Sequence, residues 1–195
     1  LEKKRIKRGA VQFSFAEEVF EYDDDKQIVG VAKSYPSCSM KLIEQFMLEA
    51  NETIALHCVK NKIPALFRVH DIPDTTKLRK MQQIFLRFGV RTPLAKLVNP
   101  RQFNNVINQI QELPQFEQLQ VLLLRALPLA IYLTANKGHF GLAADFYTHF
   151  TSPIRRYPDL VVHRAIKQKI HQQYSLNNKS QKRKIYNVSA EMAEL

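Results

Sequence analysis

A stretch near the C-terminal end of the chain, residues 149–160, restricts the backbone more than any other part of the sequence. It contains Pro153 and Pro158, whose rings fix φ and remove a backbone hydrogen-bond donor. Thr151 and Ser152 precede the first proline, and both residue types favour the N-cap of a helix. The pattern predicts a helix that begins at Ser152 or at Pro158 and continues to about residue 173, with Pro158 kinking or restarting it.

Two adjacent arginines, Arg155 and Arg156, fall within the opening turn of that predicted helix. Backbone N–H groups are unpaired at a helix start and the helix dipole is positive there, so the position favours an anion. A guanidinium group can also hold two phosphate oxygens at once. The stretch is therefore a candidate phosphate site, although local chemistry equally allows an ordinary capped helix with solvated arginines.

The chain carries a large excess of positive charge. Its 195 residues include 29 lysines and arginines against 18 aspartates and glutamates, which gives a net charge of +11 and a pI near 9.7. This excess favours a polyanionic partner, most simply a nucleic acid, over a basic domain without such a partner. Basic residues cluster at residues 3–8 and 179–184, and both runs are predicted to be flexible, solvated tails.

Cysteine usage and hydropathy indicate the cellular setting. Cys38 and Cys58 have no CxxC neighbour, so both are expected to be reduced and structural. No signal-peptide pattern follows Leu1, and charge and proline interrupt the most apolar segment, residues 121–133, which is also too short to cross a bilayer. These features predict a cytoplasmic protein with no membrane partner.

Residues 9–31 have the pattern of a β-hairpin. Phe13 and Phe15 alternate with polar residues, as in a half-buried strand. Three consecutive aspartates, residues 23–25, cannot all face one metal ion from a regular strand, so they predict a turn. The returning strand is expected over residues 27–32.

The remainder of the chain is mainly helical in pattern. Helices are expected from a cap at Ser37 or Ser39 to about residue 60, over residues 75–88, 100–111 and 114–126, and after residue 179, with short strands over residues 65–69 and 132–134. In the first of these helices, apolar residues recur every three or four positions and predict a stripe that faces the core: Met40, Ile43, Met47, Ala50, Ile54 and Cys58. The fold class that follows is α+β, a mainly helical unit with an N-terminal β-hairpin and a few short strands.

Four motifs occur in a distinctive order along the chain. They are Arg8-Gly-Ala-Val-Gln-Phe13, Lys41-Leu-Ile-Glu-Gln-Phe-Met-Leu-Glu-Ala-Asn51, Phe67-Arg-Val-His-Asp71, and Gly138-His-Phe-Gly-Leu142 with the proline-rich stretch that follows it. Together they resemble the ribonuclease II / ribonuclease R family, and specifically the C-terminal half of its RNB-type catalytic domain. The resemblance implies that residues 1–195 are part of a larger mixed α/β domain, without the cold-shock and S1-type domains that flank it in the family.

The resemblance implies an activity and a cofactor. Members of the family are 3′→5′ exoribonucleases that hydrolyse single-stranded RNA processively to nucleoside 5′-monophosphates by a two-metal mechanism. That chemistry needs carboxylates that converge on paired magnesium ions, and the aspartates of this chain do not form such a spaced group. Mg²⁺ is therefore expected to be bound by residues missing from this chain, which alone is expected to be inactive. The expected partner is single-stranded RNA, and the protein is expected to be monomeric.

The resemblance also assigns roles to single residues. Arg155 matches the family's catalytic arginine beside the scissile phosphate, where it would stabilise charge on the phosphoryl oxygens. Phe13 matches an aromatic residue that stacks on the 3′-terminal bases. Glu44 matches a glutamate near the terminal ribose, whose 2′-OH it would bind. Further RNA contacts are expected from Ser152, Arg156 and Tyr157, with Arg156 on the RNA backbone.

Alternatives remain for several of these positions. Phe13 fits a core strand equally well, and Glu44 fits an exposed helix surface. Tyr157 and Asp159 are candidates to orient the arginines, since Arg155 and Asp159 are four residues apart. The histidines of the motifs are expected to be structural.

Two other functions are compatible with part of the sequence. A non-catalytic RNA-binding protein would keep the fold and the basic charge without the hydrolysis. A basic structural protein is less compatible, because charge alone would not require the Arg-Arg-Tyr arrangement. The sequence leaves open whether the chain belongs to the ribonuclease II or the ribonuclease R branch.

Overall fold

The computed structural model describes residues 1–93, 97 and 99–177, which form helices and two small antiparallel sheets. The helices are α1 (Glu2–Arg8), α2 (Cys38–Lys60), α3 (Thr75–Arg87), α4 (Pro100–Ile110), α5 (Phe116–Ala126) and α6 (Tyr157–Asn177). The strands are β1 (Glu17–Tyr22), β2 (Ile28–Ser34), β3 (Phe67–Val69) and β4 (Ile131–Leu133). The α+β fold class is confirmed, and the helix expected after residue 179 lies outside the described residues.

Three helices begin next to residues whose side chains cap their first turn. The side chain of Ser37 accepts a hydrogen bond from the Met40 N–H at the start of α2. Asp74 accepts from the Thr76 and Lys77 N–H groups at the start of α3. Asn99 caps α4, and Pro100 occupies the first turn, where a missing N–H removes no helical bond. These starts are therefore determined locally.

The helices and sheets enclose two main cores. One lies among α3, α4 and α5 around Phe85, Phe103 and Leu123. The other lies among α2, β3 and α6 and includes Cys58 and Val161. Burial raises the pKa of the Cys58 thiol to about 11, so this cysteine is a small core residue and not a nucleophile at neutral pH.

The predicted core stripe on α2 is wrong for the first half of the helix. The buried residues of α2 are Leu48, Asn51, Ala55 and Cys58. Met40 and Ile43 are 57% and 67% exposed, because no other described part of the chain covers the beginning of α2. Apolar spacing predicted the helix correctly, but the covered face depends on which elements pack against it.

The predicted hairpin is also shorter than expected. Its first strand begins at Glu17, while residues 10–15 form no strand. Asn104 accepts from the Gln12 N–H at 2.9 Å and donates to the Ala10 carbonyl at 2.9 Å. Gln120 binds both the N–H and the carbonyl of Ser14, at 2.8 and 2.9 Å. Two amide side chains thus replace a neighbouring strand, while the predicted aspartate turn is present between β1 and β2.

The N-terminal basic run is a docked helix and not the flexible tail that its charge predicts. Arg5 is buried and donates to Gln45 at 2.8 Å. Arg8 forms two hydrogen bonds of 2.7 Å with Glu52. Both partners lie on α2, so two arginine side chains of α1 dock it against that helix. The second basic run, residues 179–184, lies outside the described residues. Among the residues that the structure describes, no helix is long and apolar enough to span a membrane.

Candidate functional site

The candidate phosphate site lies in a turn before α6, here called the arginine loop (residues 152–156). α6 begins at Tyr157, so Arg155 and Arg156 precede the helix. The sequence had placed both arginines in its first turn, and that prediction is wrong. The Arg155 and Arg156 N–H groups both donate to the Ser152 carbonyl, at 3.3 and 3.0 Å. Pro158 occupies the second position of α6. It therefore belongs to the helix start and introduces no kink.

A buried carboxylate, Asp159, holds the arginine loop. Its side chain is 0% exposed, and Oδ2 accepts hydrogen bonds from the Ser152 N–H and from Nη2 of Arg156, each at 2.8 Å. The Arg156 side chain is 20% exposed, so this ion pair is shielded from solvent. The sequence suggested an Arg155–Asp159 pair four residues apart, but the observed partner is Arg156, three residues away.

Arg155 has a different environment from its neighbour. It is exposed, and its side chain forms no hydrogen bond or ion pair within the part of the chain that the structure describes. Ile154 beside it is fully exposed. Tyr157 is about half exposed, and its ring lies 6.0 Å from the Arg164 guanidinium. The loop therefore presents one cation to solvent, next to the half-exposed ring of Tyr157 at the start of α6.

The segment that leads into the arginine loop is fixed by α2 and β3. Asn51 of α2 is completely buried and donates to the Tyr147 hydroxyl at 3.1 Å, while its Oδ1 accepts from the Phe150 N–H at 3.0 Å. Thr148 donates to the Leu66 carbonyl at 2.5 Å, just before β3. His163 of α6 donates to the Phe150 carbonyl at 2.9 Å and stacks on its ring. These contacts give Asn51 and His163 a structural role in fixing the segment before the arginine loop.

Two further histidines are held neutral by burial. Burial lowers the pKa of His149 to about 4, and the nearby positive charge of Arg156 adds to the effect. Burial lowers the pKa of His139 to about 3, with a contribution from His70. The Tyr132 hydroxyl and Nδ1 of His149 are hydrogen-bonded at 2.6 Å. At neutral pH, therefore, these imidazoles add no positive charge to the site.

Phe13 and Glu44 line a common cleft of about 390 Å³. Phe13 is half-buried, with its ring 5.8 Å from Phe15 and 6.3 Å from Phe103. Glu44 is exposed on α2. Tyr35 and Lys41 also line this cleft, although the sequence analysis assigned no role to either of them. The structure thus brings together two of the residues that the resemblance associates with RNA.

A larger cleft of about 750 Å³ lies elsewhere, between the N-terminus of α4 and residues 136–146. Its cations include Arg101, whose Nη2 donates to the Lys7 carbonyl at 2.9 Å. Neither cleft is lined by residues of the arginine loop. The sequence-predicted residues therefore form two groups, Phe13 with Glu44, and Ser152, Arg155, Arg156 and Tyr157 in and next to the arginine loop.

The side chains that could bind a metal ion do not form a magnesium site among the described residues. Within residues 1–93, 97 and 99–177, no three histidine, cysteine, aspartate or glutamate side chains converge. Three of the aspartates already have structural partners: Asp23 in the turn between β1 and β2, Asp74 at the cap of α3, and Asp159 in the arginine loop. The described residues therefore supply no cluster of carboxylates for paired metal ions.

Sequence comparison and structure comparison identify the same family of proteins. The family model described as RNB domain matches residues 1–172. Ribonuclease R of Escherichia coli is 40% identical over 167 residues, which are 86% of this chain and 20% of that protein. Mycoplasma genitalium RNase R, solved with ribose-methylated single-stranded RNA and with double-stranded RNA, is 30% identical and covers 98% of this chain, with TM-scores of 0.81 and 0.82. This chain covers 29% and 34% of those two chains.

Yeast Ssd1 is a structural relative of lower identity and TM-score. Yeast Ssd1, described as a pseudonuclease, is 26% identical and covers 79% of this chain with a TM-score of 0.60. This chain covers 18% of Ssd1. The chain thus spans about a fifth of the length of both Ssd1 and E. coli ribonuclease R.

Proposed function

This chain belongs to the RNB domain family of ribonucleases, and we propose that it is the C-terminal half of the catalytic domain of a 3′→5′ exoribonuclease. The full-length protein would hydrolyse single-stranded RNA processively and release nucleoside 5′-monophosphates. The observation that carries this proposal is the arginine loop, where a family-matching Arg155 is exposed while its neighbour Arg156 is paired internally. We further propose that the protein acts as a monomer in the cytoplasm.

Arg155 would act on the scissile phosphate. Its guanidinium has no competing hydrogen bond or ion pair among the described residues, so its charge and its donors are available to a ligand. In phosphodiester hydrolysis, negative charge builds on the phosphoryl oxygens, and a fixed donor there lowers the barrier. Ser152 and Tyr157 would contact the RNA beside it.

The cleft of Phe13 and Glu44 would hold the 3′-terminal nucleotides. An aromatic ring can stack on any base, which suits an enzyme that degrades RNA without regard to sequence. A carboxylate that accepts a hydrogen bond from the 2′-OH distinguishes RNA from DNA. The cleft volume of about 390 Å³ falls within the range of clefts that hold small ligands.

Mg²⁺ would be bound by residues outside this chain, because the described residues do not fit a metal site. In a phosphodiester hydrolase, paired metal ions stabilise the attacking and leaving oxygens. On this proposal, the present chain contributes the arginine and the RNA-binding side chains of the active site.

The proposal is tested with the full-length protein and 5′-labelled single-stranded RNA. Stepwise shortening from the 3′ end with Mg²⁺, and none after chelation, is the expected result. Arg155→Ala should lower the single-turnover rate by about 10²–10³-fold and leave RNA affinity largely intact. Arg155→Lys should restore only part of the rate, because an ammonium group lacks the fork of the guanidinium.

Arg125→Ala is the matched control, since Arg125 is an exposed arginine on α5 outside both RNA-binding groups. It should leave the rate unchanged. An Arg155→Ala enzyme that hydrolyses RNA at the wild-type rate would show that Arg155 has no catalytic role.

The 195-residue chain alone is predicted to release no mononucleotides in the presence of Mg²⁺, because its described residues include no carboxylate cluster. Purified chain is incubated with single-stranded RNA, and the products are separated by chromatography. Turnover that follows the chain through successive purification steps would contradict this prediction.

A non-catalytic RNA-binding protein is the second candidate function. It is supported by the likeness to yeast Ssd1, which is described as a pseudonuclease. The same assay distinguishes the two, because a protein of this kind would bind single-stranded RNA in Mg²⁺ without shortening it.

A further inference from the structure

The arginine loop is closed at both ends by one buried oxygen. Oδ2 of Asp159 binds the Ser152 N–H at the beginning of the loop and the Arg156 guanidinium at its end, each at 2.8 Å. The Ser152 carbonyl accepts from the Arg155 and Arg156 N–H groups within the same turn. Arg155 therefore lies between two points that are both tied to Asp159.

The two arginines differ in how much positive charge they present to a ligand. The charge of Arg156 is neutralised by a carboxylate that is 0% exposed, and its side chain is mostly inside the protein. The charge of Arg155 has no such partner within the described residues. A phosphate that approaches the loop therefore meets one uncompensated cation, although the sequence contains two.

Unsatisfied polar atoms are concentrated in and next to the arginine loop. Five buried side-chain atoms lack a hydrogen-bond partner among the described residues, and three of them belong to the loop residue Arg156 (Nε) and to the adjacent residues Thr151 (Oγ1) and Asp159 (Oδ1). Buried groups of this kind destabilise a fold. Departures from full hydrogen bonding are expected at functional sites, so this arrangement favours a role beyond stability.

We infer that Asp159 is the positioning residue of Arg155: by binding Ser152 and Arg156 it fixes the turn that presents Arg155 to the RNA, and Arg156 acts through Asp159 and not on the RNA backbone. This inference rests on the proposed function of Arg155. It replaces the role in RNA binding that the sequence predicts for Arg156.

The first test is a double-mutant cycle in the full-length protein. Asp159→Asn keeps the shape and an acceptor for Ser152 but removes the charge that binds Arg156. A small displacement of a catalytic group can lower a rate by about 10²-fold, and a loss of that order is expected for Asp159→Asn in single-turnover hydrolysis. In the Arg155→Ala background the same substitution should lower the rate by no more than about twofold, since no guanidinium remains to be positioned.

A purely structural role predicts a different result. If Asp159 only stabilises the fold, its substitution lowers the rate by the same factor whether or not Arg155 is present. Equal losses in both backgrounds would therefore overturn the inference.

Arg156 provides an independent route if Asp159→Asn does not fold. Arg156→Lys keeps a cation for Asp159 and should lose much less activity than Arg156→Met. A direct contact with RNA predicts instead that Arg156→Met weakens RNA affinity and lowers the salt dependence of binding, even in the Arg155→Ala background. That outcome would also overturn the inference.

A measurement that needs no activity separates this inference from the proposed function. Phenylglyoxal modifies accessible arginines, and the modified positions are found by fragmentation mass spectrometry. In the wild-type full-length protein Arg155 should react much faster than Arg156, and the difference should collapse in Asp159→Asn. Equal reactivity in the wild type would overturn the inference, whereas the expected labelling with an inactive enzyme would overturn only the proposed function.

Discussion

Arg155 and Arg156 are neighbours of the same chemical type, and their difference arises from a third residue. Asp159, which is 0% exposed, pairs at 2.8 Å with Arg156, whose side chain is 20% exposed. Removing one partner of a buried ion pair typically costs about 3–5 kcal/mol, so this pair constrains the loop strongly. Arg155 is exposed and has no such partner among the described residues. The chemistry of a single side chain thus depends on whether its neighbour is already neutralised.

His139 predicts how stability should respond to acid. Burial lowers its pKa in the folded protein to about 3, whereas the unfolded chain titrates near 6.5. As the pH falls, the unfolded chain therefore takes up a proton on His139 before the folded protein does. The contribution of neutral His139 to the unfolding free energy is fully present above about pH 6.5 and is lost as the pH falls toward the pKa in the folded protein. The unfolding free energy should decrease by up to about 1.4 kcal/mol per pH unit from this residue.

Urea unfolding of the wild type and His139→Gln between about pH 7 and pH 5 measures this effect. The variant should lose stability less steeply in acid. His171→Gln is the control, because His171 is exposed on α6. The same pH slope in wild type and His139→Gln would contradict the prediction.

Among the structural elements, the extended segment of residues 10–15 is held by side chains from distant helices. Asn104 of α4 and Gln120 of α5 bind its backbone groups as a neighbouring strand would. Gln120 is 0% exposed, so it belongs to the core despite its polarity. This pairing places Phe13 in the cleft that it shares with Glu44.

Gln120→Leu is predicted to destabilise the fold. Leucine keeps the apolar contacts but removes both hydrogen bonds between Gln120 and the Ser14 backbone, and such a bond contributes about 0.5–1.5 kcal/mol. Urea denaturation measures the change in unfolding free energy. Gln118→Leu, at an exposed position on the same helix, should change stability by about 0.5 kcal/mol or less. Similar effects at the two positions would contradict the proposed pairing.

At the scale of the whole molecule, the chain has a net charge of +11. Some of its cationic side chains bind other residues of the fold, and others face solvent. Arg5 and Arg8 of α1 are bound to residues of α2. Lys33 pairs with Glu117 at 2.5 Å. Cations that remain on the surface, including Arg155, produce a field that attracts a polyanion.

Binding to single-stranded RNA is therefore predicted to be insensitive to sequence and strongly sensitive to salt. Counterion release should lower log K by about 0.7 per phosphate contact for each log unit of salt. Fluorescence anisotropy with the 195-residue chain and labelled RNAs of different sequence measures the slope. Binding that does not change with salt, or no binding at low salt, would contradict the prediction.

Local sequence determined the helix starts at Ser37, Asp74 and Asn99, because a cap is formed by residues within one turn. It also determined the α+β class, through the spacing of apolar residues, and the family, through motifs whose order is specific. Phe13, Glu44 and Arg155 could be named as candidates on those motifs alone, and their roles remain predictions.

Tertiary structure alone decided the features that depend on distant partners. The backbone of residues 12–14 is bound by Asn104 and Gln120, 92 and 106 positions away, and no local pattern encodes such a contact. The exposed beginning of α2 and the docking of α1 depend in the same way on which elements meet. Even Arg156 and Asp159, three residues apart, pair only because the chain folds over Asp159 and excludes water from it, while Arg155 remains outside.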